Sequence, residues 1–145
     1  MTSLDFTLDD IKDYPAYRKR AEEEATLCYK KASTRRGRSW IDVFKVFLMS
    51  HAAETYLMEN FDYTDDTRLF KDLFNLDGES VEIKTTISED YVDKVLENLV
   101  AAKKLKWRDI SNIMYLWIVN KKHYTFYGKY EWDGKEYIQT STENL

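Results

Sequence analysis

A chain of 145 residues, 43% hydrophobic and 15% aromatic, is long enough to bury one core and too apolar to be disordered. The single cysteine, Cys28, excludes an intrachain disulfide framework. With no secretion-type N-terminus and no apolar run long enough for a bilayer, it argues for a soluble, cytoplasmic protein with no membrane partner. The net charge of −4 excludes bulk attraction to nucleic acid, yet two basic clusters stand out. Lys30, Lys31, Arg35, Arg36 and Arg38 form one, and Lys103 and Lys104 begin the other; either is a candidate for phosphate contacts or a solvated helix end.

The elements follow in chain order. Residues 16–33 predict a charged helix, broken near Gly37. A second helix spans 39–60, with Trp40, Val43, Phe44, Phe47 and Leu48 at core spacing. On it, Glu54 shares a face with Ser50, His51, Leu57 and Met58, where a carboxylate needs a partner; Glu59 looks like an ordinary helix acid. A short strand is expected from Phe61 to Thr64. Two more, Arg68 to Leu76 and Ser80 to Thr86, flank the Asp77-Gly78 turn. Ser88 caps a helix that runs to about Lys104. The apolar run Asn112 to Val119 suits a central strand parallel to 80–86, and further strands lie at His123 to Glu131 and Lys135 to Gln139. The aromatics of the His123 strand are expected to pack the sheet. The whole reads as a single α/β domain over residues 1–145. N-terminal helices (1–60) precede an α/β core (61–120) and C-terminal strands (121–140).

The chemistry concentrates at Glu82-Ile83-Lys84. Strand alternation puts Glu82 and Lys84 on one face, roughly 7 Å apart, and Asp72 lies ten residues upstream of Glu82. The hairpin register decides whether these groups meet. A two-residue Asp77-Gly78 loop sets Asp72 opposite Ile83. A three-residue loop of Leu76, Asp77 and Gly78 sets Asp72 opposite Glu82, with Gly78 at the left-handed position. In that register two carboxylates face each other and call for a cation between them, and hard oxygen ligands favour magnesium or manganese.

Asp72, Glu82-Ile83-Lys84, the helix bearing Glu54 and the capped helix after the strand resemble the PD-(D/E)XK nuclease superfamily over roughly residues 40–120. The resemblance implies a restriction-endonuclease-like mixed β-sheet, a βαβ core with a hairpin, flanked by helices. It also implies Mg²⁺- or Mn²⁺-dependent cleavage of DNA. Asp72, Glu82 and Glu54 would be metal ligands and Lys84 the catalytic lysine. Lys71 stands where the family name has proline, and no Gln-x-x-x-Tyr helix follows, unlike the RecB-like exonucleases; His51 could stand for the histidine of that branch. The run DLFNLDGESVEIK is similar in spacing to short phage-encoded junction resolvases, which points to an endonuclease on duplex or branched DNA. Many such folds act as homodimers, and the oligomeric state stays open. The alternative is a non-catalytic or partner-dependent interaction protein that keeps the fold.

Overall fold

Ser39 starts the longest helix: its hydroxyl accepts the Asp42 amide, and the helix then runs 22 residues to Phe61. The computed structural model describes residues 3–29, 39–68, 72–105 and 109–141. In chain order the elements are β1 (Phe6–Thr7), α1 (Tyr14–Tyr29), α2 (Trp40–Phe61), β2 (Thr64–Asp65), β3 (Leu73–Phe74) and β4 (Ser80–Thr86). They continue with α3 (Val92–Leu105), β5 (Ile113–Asn120), β6 (His123–Trp132) and β7 (Tyr137–Ser141). The sequence reading is corrected at three points. The helix continues through Phe61 and stops at Asp62 in a left-handed cap, so the strand expected from Phe61 shrinks to Thr64–Asp65. Of the strand expected from Arg68 to Leu76, residues 69–71 lie outside the described residues, and among the described ones Leu73–Phe74 form the ladder. A strand at Phe6–Thr7, too short to show periodicity, pairs with β6.

These strands form one mixed, curled sheet in the order β1-β6-β5-β4-β3-β2, with β7 also paired to β6. As expected, β4 and β5 run parallel with α3 as the crossover. Val81, Ile83, Ile113, Tyr115 and Trp117 pack with Ala52, Ala53, Tyr56 and Leu57 of α2. On the other face, Met114 and Leu116 pack with Val92 and Leu99 of α3. Parallel partners share a face, so Glu82 and Lys84, paired with Met114 and Leu116, belong to the α3 side. The aromatics of β6 pack the sheet as anticipated, but not on one side. A bulge opposite Leu116/Trp117 rephases the strand, leaving Phe126 in the α2 core and Tyr130 in the α3 core.

The N-terminal segment is stitched down by specific polar contacts. The Trp117 Nε1–H donates to the Leu4 carbonyl at 2.8 Å, and Asp5 Oδ1 accepts the Phe126 amide at 2.7 Å. Glu59, ordinary by its sequence position, accepts the Lys12 and Asp13 amides, one on each carboxylate oxygen, both at 2.8 Å. Two charge-assisted bonds join the end of α2 to the chain entering α1. Glu59→Ala is therefore expected to cost about 1–3 kcal/mol of stability by urea denaturation; an unchanged midpoint would show these bonds to be exchangeable with water.

Candidate functional site

The hairpin before the Glu82 strand adopts the longer loop. Its register pairs Leu73 with Val81 and Phe74 with Ser80, and the Asn75 amide donates to the Glu79 carbonyl at 2.9 Å. Gly78 takes the left-handed conformation, φ +78°. The reason lies in Asn75, whose side-chain oxygen accepts the amides of Asp77 (3.0 Å) and Glu79 (2.9 Å). An asparagine that bonds the backbone two and four residues on builds the loop around itself and outcompetes the tighter Asp-Gly turn.

One step beyond Leu73–Val81, this register sets Asp72 opposite Glu82. The regular ladder ends there. Asp72 Oδ2 takes the Ile83 amide at 2.7 Å, so its carboxylate lies at the edge of β4. The Lys84 ammonium stands 3.4 Å from Glu82 Oε1; the Glu82 side chain is 1% exposed, that of Lys84 30%.

Glu54 comes from the α2 side and is buried, 3% exposed. Burial holds its carboxyl well above the usual carboxylate range, with the Asp72 charge as the next cause, while Arg20 pulls it back down and Glu24 and Asp65 push it up. Glu54 and Asp72 are thus electrostatic neighbours. Glu82 and Lys84 face α3, on the opposite side of the sheet from Glu54, so the structure brings Asp72 to Glu54 and Glu82 to Lys84 but does not gather all four.

Helix α1 adds groups that the sequence reading missed. Glu24 Oε2 lies 2.6 Å from His51 Nε2, and His51 Nδ1 lies 3.2 Å from Glu54 Oε2, off the alignment of a hydrogen bond. Arg20 sits one turn before Glu24. The available signal was Ala21 and Ala25, small residues one turn apart that let α1 approach Val43 and Phe44 of α2 closely and carry Arg20 and Glu24 in with them. The basic candidates are less informative. Lys30, Lys31, Arg35, Arg36 and Arg38 lie outside the described residues. Lys103 Nζ donates to the Ile110 carbonyl at 2.8 Å and stands 5.4 Å from the centre of the Trp132 ring, tying the end of α3 to the sheet, while Lys104 is exposed.

The candidate donors of Asp72, Glu54 and Glu82 are carboxylate oxygens, the ligand type that hard divalent ions take. Among the described residues no three His, Cys, Asp or Glu side chains are gathered into a ready-made metal cage. Magnesium does not require one: it usually keeps several waters and is held by one or two carboxylates together with substrate phosphate oxygens. The mutual repulsion of Glu54 and Asp72 is what such a cation would relieve. No helix among the described residues is long and apolar enough to cross a membrane. Comparison with protein-family models, with curated proteins and with solved structures finds no match.

Proposed function

We propose that this chain is a metal-dependent nuclease that hydrolyses phosphodiester bonds in DNA, with a restriction-endonuclease-like core of the PD-(D/E)XK type. The observation that carries the reading is the three-residue hairpin loop: continued one residue past the Leu73–Val81 pair, its register would set Asp72 opposite Glu82, two residues before Lys84 on the same strand. The shorter loop would have turned Asp72 to the opposite face and left only a strand ion pair. The coupling of Glu54 to Asp72 supports the same site from the helix side.

Asp72 and Glu54 would hold magnesium or manganese together with waters and substrate oxygens, and Glu82, on the α3 face, would hold Lys84 in place. When bound, the ion supplies an acidified water and offsets charge on the leaving oxygen. The Ile83 amide donates to one Asp72 oxygen and orients that carboxylate. Lys84, partly exposed and held beside Glu82, would orient the attacking water or meet the charge that builds on the phosphate.

Incubation with plasmid, duplex, branched and single-stranded DNA in Mg²⁺, Mn²⁺ or EDTA tests the assignment. Cleavage that needs the metal, on duplex or branched DNA, is the expected result; metal-independent cleavage or none at all overturns it. A Mn²⁺-dependent rise in melting temperature that disappears in Asp72→Ala separates a working metal site from a binding module that keeps only the fold.

A further inference from the structure

The Nε and Nη2 nitrogens of Arg20 are buried and, among the described residues, donate to no acceptor. These two nitrogens form the side-on fork of a guanidinium, the geometry that matches two oxygens of a carboxylate or phosphate. The same chain shows that fork filled at Arg68, whose Nε and Nη2 grip Asp66 Oδ1 and Oδ2 at 2.9 and 2.6 Å. Arg20 has no such carboxylate. Withdrawing charged donors from water without an acceptor is costly, and native structures rarely leave them so.

The position of Arg20 bears on the kind of acceptor that would match the fork. It lies one turn before Glu24, which bonds His51, which in turn touches Glu54. With α1 packed on α2, that chain of contacts puts Arg20 on the same seam between the two helices as Glu54. Glu54 nevertheless does not occupy it. A group arriving with the substrate, carrying paired oxygens and negative charge, is the complement that is absent.

We propose that the Arg20 fork is a phosphate-binding subsite that grips a backbone phosphate of the nucleic acid next to the scissile bond. The subsite rests on the nuclease reading for the identity of its ligand. It assigns α1 a role in substrate binding: α2 and the hairpin supply the carboxylates and lysine, and α1 supplies the clamp that sets the strand against them.

The test is binding of fluorescein-labelled duplex and four-way-junction DNA by anisotropy over a range of salt. Ca²⁺ replaces Mg²⁺, since it takes the same oxygen ligands. Arg20→Met is expected to weaken binding roughly tenfold and to lower the slope of log affinity against log salt by about 1. Arg20→Lys keeps the charge but lacks the fork. It should retain the wild-type slope while losing affinity, and it serves as the folded control if Arg20→Met melts at a lower temperature. Unchanged affinity and slope in both variants, with cleavage still dependent on Lys84, would discard the subsite and leave the nuclease reading standing. Wild-type binding that depends on Arg20 without any cleavage would do the reverse. A wild-type protein that binds neither DNA overturns both.

Discussion

Replacing Lys84 by alanine is expected to slow DNA cleavage by at least about a hundredfold while changing DNA affinity by less than about threefold. The asymmetry follows from the geometry. Glu82 is buried and the Lys84 ammonium is held 3.4 Å from it, so the lysine is presented at a fixed point rather than sweeping the surface. A positioned charge of this kind acts mainly on the transition state, where the phosphate gains negative charge, and little on the ground state. Asp72→Asn should be at least as damaging, because Asp72 is both the partner of the Ile83 amide and the electrostatic neighbour of Glu54. Single-turnover rates at saturating enzyme, beside anisotropy with Ca²⁺, separate the two effects. A Lys84→Ala protein that cleaves at the wild-type rate removes Lys84 from the chemistry.

Glu54→Gln is expected to act in opposite directions on stability and activity. The Glu54 carboxyl is buried beside Asp72, with Glu24 and Asp65 adding repulsion and Arg20 and, when protonated, His51 opposing it. Its affinity for a proton is therefore higher in the folded than in the unfolded chain. The stabilisation this represents is fully present below the ordinary carboxylate range and is lost as pH rises through the raised folded value. Wild-type and glutamine proteins should melt together in acid, and their difference should open as pH rises. At neutral pH in EDTA the glutamine protein should gain about 1–2 kcal/mol, or roughly 3–8 °C. The Mn²⁺-induced rise in melting temperature should shrink and cleavage should be lost, because an amide leaves the ion's charge uncompensated. Melting curves from pH 4 to 9 with and without Mn²⁺ would show it; a Glu54→Gln protein less stable than wild type across that range would mean the carboxylate is well paired.

Much of this was legible in the residues. The start of α2 near Ser39, its apolar spacing, the Ser88 cap, the Ser80–Thr86 strand and the doubly buried β5 are local patterns, and their positions follow from periodicity and turn chemistry. Gly78 at the left-handed loop position was also readable as one of two registers. The choice between them was not, because it rests on one asparagine side chain bonding Asp77 and Glu79 in competition with an intrinsically favoured two-residue turn. The strand expected at Phe61 failed for a related reason. Helix-compatible residues continue until something ends them, and the end is a left-handed Asp62 that no glycine advertises.

What brings distant residues together was out of reach. The strand alternation of β6 predicts one face for Tyr124, Phe126 and Tyr130, yet a single bulged residue sends Tyr130 to the other core. Arg20 and Glu24 read as members of a charged surface helix until α1 packs on α2 and carries them to Glu54. Periodicity reports which side of an element is buried, but not which element covers it. The sequence by itself determined the kit, a carboxylate and a lysine two residues apart on a strand, an acid ten residues earlier and another on an apolar helix face. Only the tertiary structure decided that the hairpin takes the three-residue loop and that the Asp72 carboxylate meets the Ile83 amide as an electrostatic neighbour of Glu54. Register and helix packing are set by competing long-range contacts, and a local pattern carries no information about which of them wins.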